Sequence, residues 1–237
     1  MLVLAHRGAR RVAPENTIEA FVAARRQGAD GVELDVHRMT DDGLVVHHDA
    51  EAAGFGVLAQ HPLAEVLAAL PSVPVLADVL DACRGLLVNV EIKNSPRDTD
   101  HDPTCRASDL VVDLLTRRGG SDHVIVSSFD LATIDRVRVV GPDVPTGFLS
   151  FGLDPFDVLE LARSRGHSAI HPDGPTLRRV AIEVVERARG FGVDVNTWTV
   201  NDPQMMLEFD AAGVGALITD VPDVALRTMG REPGPPA

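Results

Sequence analysis

Cysteine is scarce in this sequence: two in 237 residues, Cys83 and Cys105. Far apart and without the paired spacing of a zinc site, they predict free thiols in a reducing compartment. Positive charge is in deficit as well. Lys and Arg number 22 against 35 Asp and Glu, for a net charge of −13 and a pI of about 5.0. That balance argues against broad nucleic-acid binding or attraction to an anionic membrane. It leaves room for a small phosphorylated ligand, because local cations can override a distant field. No apolar run reaches membrane-spanning length. At the amino terminus His6 and Arg7 interrupt the first apolar run before a signal core can form. The expectation is a cytoplasmic protein without stable membrane insertion. No repeat period is visible, and no glycine-rich phosphate loop follows an early strand.

What is present is an ordinary apolar fraction, 45 %, enough for a sizeable core. Strand-like runs fall at Leu2–Ala5, Gly31–Val36, Leu86–Ile92, Val124–Ser127, Thr146–Leu149, Ser168–His171, Val193–Thr199 and Ala216–Thr219. Between most of them lie stretches of helical spacing, at Thr17–Gln27, Cys105–Arg118, Leu131–Val139, Leu177–Arg189 and Pro203–Ala212. Eight strands alternating with helices predict an α/β fold, a closed TIM (β/α)8 barrel, over a doubly wound open sheet. The expected organisation is one domain, 1–229. The Pro- and Gly-rich tail, 230–237, has the composition of a disordered segment.

Leu44–His48 also reads as a strand, yet it follows the second strand too closely for a parallel crossover. Asp41-Asp42-Gly43 between them is a hairpin signal, so a β-hairpin extending from the second strand is expected. A turn centred between Asp41 and Asp42 sets His48 opposite Asp35; a slip of one residue would set His47 there instead.

In such a barrel the carboxyl ends of the strands carry the chemistry. His6 and Arg7 end the first strand. Glu33 and Asp35 lie two apart on the second and share a face. Glu91 and Lys93 repeat that spacing in "NVEIKN". Three converging carboxylates repel one another and raise each other's pKa values, a conflict that a divalent cation resolves. An all-oxygen set suits Mg²⁺ or Ca²⁺ better than Zn²⁺. Alone, each feature has a plainer reading: an exposed E-x-D pair, a polar core histidine, a helix start at Glu15-Asn16-Thr17 with Asn16 or Thr17 as cap. Their joint occurrence at strand ends favours chemistry. Gly8 is expected to turn the chain away without a Cβ in the ligand's path.

"HRG" followed by "PENT", then "GADGVELDVHRMTDDGLVVHHD", "EIK", "WTVND" and "GVGALITDVP" together resemble the glycerophosphodiester phosphodiesterase family, from Leu2 to about Asp223. The resemblance implies a TIM barrel that uses a divalent cation to hydrolyse glycerophosphodiesters to glycerol 3-phosphate and an alcohol. Position by position it implies His6 and His48 as catalytic histidines and Glu33, Asp35 and Glu91 as metal ligands. Arg7 and Lys93 would contact phosphate, Glu15 would border the site, and Trp198 would wall a glycerol pocket. His171, at another strand end, is a weaker candidate for a supporting role.

The sequence departs from the family at "AEAAGFGVLAQ", where an Arg and a Thr frequent in that family are missing. The short run from Asp49 to "VPVLADVL" predicts a wide mouth. Two rival readings follow. One is lysophospholipase D-like activity on lipid diesters, with Phe55, Phe151 and Phe156 as an apolar lip. The other is a non-catalytic phosphodiester-binding barrel, against which the intact polar set argues.

Overall fold

Residues 1–234 are described by the structure, a computed structural model. β1 (Leu2–His6) leads through α1 (Ile18–Gln27) to β2 (Gly31–Arg38), which reverses into β3 (Leu44–Val46). A short excursion follows: β4 (Glu51–Ala52), β5 (Gly56–Val57), a 3-10 turn (Leu58–Gln60), α2 (Leu63–Ala69) and α3 (Leu76–Ala82). Strand and helix then alternate: β6 (Leu87–Ile92), α4 (Arg106–Arg117), β7 (His123–Ser128), α5 (Leu131–Val140), β8 (Thr146–Ser150) and α6 (Pro155–Arg165). The chain continues with β9 (Ala169–Pro172), α7 (Gly174–Leu177), α8 (Ala181–Phe191), β10 (Asp194–Thr197), α9 (Pro203–Ala212), β11 (Ala216–Thr219) and α10 (Pro222–Thr228).

Eight parallel strands close a ring in the order β1-β11-β10-β9-β8-β7-β6-β2, and β2 pairs back to β1. This is the expected TIM barrel. Strand alternation sorts side chains between ring interior and helix layer. In β2, Val32, Leu34 and Val36 join the core cluster that takes in Phe21 of α1 and Leu76 and Leu80 of α3. Glu33, Asp35 and His37, on the opposite face of the same strand, are also buried. Burying a carboxylate disfavours its ionised form, so this inward face has to carry partners.

The hairpin occupies an edge that β1 gives up. β1 pairs with β2 only as far as His6↔Glu33 and then turns away at Arg7 and Gly8, both at positive φ (57° and 79°). β3 takes the freed edge through Val36↔Val46, His37↔Val45 and Arg38↔Leu44. The register is one residue off the expected one. The turn is a three-residue loop: Met39 N–H donates to Gly43 O (2.8 Å), with Asp42 left-handed at φ 66°, a known alternative to the two-residue turn. His47, not His48, therefore faces Asp35, its N–H donating to Asp35 O at 3.0 Å. His48 follows just past the end of β3.

Gly8 also differs from expectation. A Cβ there would lie 2.7 Å from the Ala20 carbonyl carbon, so the missing side chain admits α1, not a ligand. The excursion 51–70 builds a small satellite core of Met39, Val45, Ala52, Leu58 and Val66 beside the hairpin. Both cysteines are free and buried. In the expected tail, Arg231 pairs with Asp30 (2.6 Å) and Gly234 N–H donates to Gln27 O (2.9 Å); 235–237 lie outside the described residues. Among the described residues no helix is long and apolar enough to cross a membrane.

Candidate active site

β2 and β6 run side by side with Asp35 opposite Glu91. Glu33, Asp35 and Glu91 each offer an oxygen within 4.8 Å of the others, and all three are buried. Oxygen-only donors at that separation fit the bond lengths of about 2.0–2.6 Å adopted by hard divalent cations. Burial, then the charges of Asp35 and Glu91, hold the Glu33 carboxyl well above its ordinary range. Burial likewise lifts Glu91 to about 7, against the pull of Lys93. For Asp35 burial is again the largest influence, but Lys93 and Arg7 outweigh it and keep the group low. Two of the three carboxyls therefore resist ionisation as they stand, and a bound divalent cation would favour their charged forms.

Those cations are Lys93 and Arg7. Lys93 Nζ lies 3.0 Å from Glu91 Oε1 and 3.5 Å from Asp35 Oδ1; burial disfavours its charge, but the two carboxylates more than offset that. Arg7 donates its backbone N–H to Glu33 Oε2 (3.1 Å), and its Nε stands 3.3 Å from Asp35 Oδ2. Glu15 does not simply border the site: it accepts from Arg7 Nη1 at 2.8 Å and pairs with Arg10, fixing the guanidinium. At the "PENT" turn Thr17 is the helix cap, accepting from Ala20 N–H. Asn16, at φ 56°, turns inward and donates to Asp35 Oδ2 at 2.9 Å.

Each of the two candidate histidines meets a carboxylate through Nδ1. His6 Nδ1 is 2.7 Å from Asp220 Oδ1, just beyond β11, while its Nε2 lies 3.9 Å from Glu33 Oε2. His48 Nδ1 is 2.6 Å from Asp49 Oδ1. Burial lowers the His48 pKa, with Asp35 opposing and Lys93 and Arg7 reinforcing the shift, so His48 shares the electrostatic field of the cluster. A carboxylate on Nδ1 fixes the tautomer and leaves Nε2 available for proton transfer. Sequence reasoning does not single out Asp220 or its support. Asn201 donates to Asp220 Oδ2 (2.8 Å) and accepts from Asp220 N–H (2.9 Å). Both stood in the quoted "WTVND" and "ITDVP"; placing Asp220 directly after a barrel strand was the available signal.

Trp198 follows β10 and donates its indole N–H to His171 O (2.8 Å). Phe129 meets it edge-on at 5.3 Å and Phe151 at 6.3 Å between ring centroids. Alongside, a cavity of about 520 Å³ runs from Glu91 and Lys93 past Asn94 and Arg97 to Phe129, Phe151 and Leu153. Of the expected lip only Phe151 lies there. Phe55 stacks on His61, and Phe156 packs into the core beneath Arg187. The His171 ring is buried against Asn196, Nε2 to Nδ2 2.9 Å; its carbonyl, not its ring, supports Trp198.

The chain as a whole has relatives. The sequence profile of the glycerophosphoryl diester phosphodiesterase family matches residues 6–224. The chain belongs to that family. It is accordingly an enzyme of the phosphoric diester hydrolase class. A Bacillus subtilis relative is 30 % identical, the match covering 96 % of this chain and 97 % of its own. A glycerophosphodiester phosphodiesterase of Caldanaerobacter subterraneus is 29 % identical over 96 % and 97 %. Among solved structures, the glycerophosphodiester phosphodiesterase of Thermotoga maritima superposes with a TM-score of 0.80 at 25 % identity, covering 98 % of each chain. A phosphodiesterase of Oleispira antarctica, in complex with the product sn-glycerol 3-phosphate, gives 0.84 at 22 % identity over 97 % of each; at that identity the likeness concerns the fold.

Proposed function

We propose that this family member hydrolyses glycerophosphodiesters to glycerol 3-phosphate and an alcohol, with His6 and His48 as general acid and base. The observation that carries the reading is the pair of histidines, each held at Nδ1 by an aspartate, beside a buried acidic cluster and two cations. One Nε2 takes the proton of the attacking hydroxyl, from water or from the substrate's own glycerol. The other returns a proton to the leaving alkoxide. Each transfer contributes roughly 10²–10⁴-fold. Negative charge growing on the phosphoryl oxygens is met by Arg7 and Lys93.

Glu33, Asp35 and Glu91 would hold a divalent cation, Mg²⁺ or Ca²⁺ by the hardness of the donors. When bound it supplies Lewis-acid stabilisation of the phosphoryl oxygens. Trp198 would wall the glycerol pocket. The free cysteines are consistent with a cytoplasmic setting. The test is glycerol 3-phosphate release from glycerophosphocholine and glycerophosphoethanolamine, with Mg²⁺, Ca²⁺ or chelator, beside His6→Ala and His48→Ala. Activity surviving chelation or either substitution would overturn the mechanism.

A second reading, lysophospholipase D-like activity, draws on the cavity. Phe129 and Phe151, which line it, each pack on Trp198 and give it an apolar wall. Leu153 extends it outward, 52 % exposed. Faster turnover of a lysophosphatidylcholine than of glycerophosphocholine would favour this reading.

A further inference from the structure

His37 shares the inward face of β2 with Glu33 and Asp35 but has no part in the mechanism above, yet it is 1 % exposed and makes two polar contacts. Its Nδ1 lies 2.6 Å from Asp100 Oδ2. Its Nε2 lies 3.2 Å from the carbonyl oxygen of His48. A carbonyl only accepts, so Nε2 carries the hydrogen and donates it. The side chain of Asp100, between β6 and α4, is only 3 % exposed, with Oδ1 lacking any protein partner.

A buried pair of this kind is a poor device for stability, because desolvating both groups offsets most of their attraction. Filling the same space with apolar side chains would hold the hairpin equally well. Indeed, the same segments are already joined nearer the surface by Arg38 with Asp102 (3.3 Å) and Arg106 with Asp42 (2.8 Å). What those links do not do is reach His48. That residue sits two places beyond the last ladder pair of β3, Val36↔Val46, and one beyond the last bond to β2, His47 N–H to Asp35 O.

We infer that His37 is a positioning residue: backed by Asp100, it holds the His48 backbone so that the imidazole keeps its place beside the acidic cluster. The inference rests on the reading of His48 as an acid–base residue. It gives a reason for a histidine two places beyond Asp35 on the same face of β2. It also makes the β6–α4 segment, which lines the cavity through Asn94 and Arg97, part of the support for catalysis.

The two ring nitrogens can be replaced separately. In His37→Gln the amide nitrogen reaches the position of Nε2 and can still donate to the His48 carbonyl. In His37→Asn it falls at the position of Nδ1, keeping Asp100 and losing His48. Steady-state kinetics on glycerophosphocholine with saturating cation should show kcat down about 10- to 100-fold in His37→Ala and His37→Asn. KM should stay within about threefold, and His37→Gln should recover most of kcat. Asp100→Asn, nearly isosteric, should lower kcat in the same direction; it carries the test if His37→Ala does not fold.

Equal kcat losses in Ala, Asn and Gln variants, or a change confined to KM, would overturn the inference. Wild-type kcat in a folded His37→Ala or Asp100→Asn protein would do the same. His48→Ala separates the levels. If it is inactive while the His37 variants are normal, only the positioning role fails. If it is active, the acid–base reading of His48 fails and takes the inference with it.

Discussion

Asp220 Oδ1 lies 2.7 Å from Nδ1 of His6, and Asn201 holds the opposite carboxylate oxygen at 2.8 Å. The imidazole is thereby presented to the acidic cluster by its other nitrogen, in one orientation and one tautomer. Burial works against ionisation of Asp220, but hydrogen bonds from His6 and Asn201 prevail and bring its carboxyl down to about 2. It remains a carboxylate throughout the neutral range.

Replacing Asp220 with Asn should therefore leave the fold intact and cost activity. An amide in that position can donate to Nδ1 and select the wrong tautomer. A kcat loss of about 10²-fold or more is expected. The double variant with His6→Ala should be scarcely worse than His6→Ala alone, since the two residues act as a unit. Steady-state rates on glycerophosphocholine check both statements.

Cation binding should be visible without turnover. Glu33, Asp35 and Glu91 disfavour one another's ionised forms, so Mg²⁺ or Ca²⁺ should raise the melting temperature and a chelator should reverse the gain. At a cation concentration 100 times Kd the stabilisation is about 2.7 kcal/mol. In Asp35→Asn the added cation should raise the melting temperature much less, as thermal unfolding with and without the ion would record.

His171 predicts a pH dependence of stability. Burial alone lowers its pKa from 6.5 to about 4. Above pH 6.5 the folded and unfolded rings are both neutral, and the contribution is fully present. Between 6.5 and about 4 only the unfolded ring takes up a proton, so stability falls as the pH drops. The loss is about 3 kcal/mol, complete near pH 4. Urea unfolding across this window should show the slope, and His171→Gln should flatten it.

Gly8→Ala tests the packing of α1 on the first strand end. The added methyl meets the Ala20 backbone at 2.7 Å in a left-handed conformation, φ 79°. A destabilisation of about 1–3 kcal/mol is expected. Activity should drop as well, because displacement of Gly8 moves Arg7. Thermal unfolding and kcat measured on one preparation would separate the two effects.

The parts of the site legible in sequence are those that a two-residue period makes legible. Glu33 with Asp35, and Glu91 with Lys93, had to share a face, and His6 had to end a strand because the apolar run stops there. The hairpin was legible too, but its register was not. That depended on Asp42 adopting a left-handed conformation without glycine, which composition does not signal. Asp220 escaped because its partner is 214 residues away, and only a closed ring makes them neighbours. Phe129 and Phe151 were indistinguishable from core phenylalanines until the β7 and β8 ends were placed beside Trp198.

The seam between β1 and β11 bears on how the protein comes into being. Leu2 pairs with Ala216 and Ala5 with Thr219, so the first strand synthesised must wait for the last before its outer edge is satisfied. During synthesis that edge is an unpaired template for foreign strands, and contacts of such sequence separation form slowly. A nascent chain that has emitted His6, Glu33, Asp35, His48 and Glu91 still lacks Asp220. Phosphodiester cleavage should thus appear only after the final strand docks, making enzymatic activity a late reporter of folding in a pulse-labelled translation.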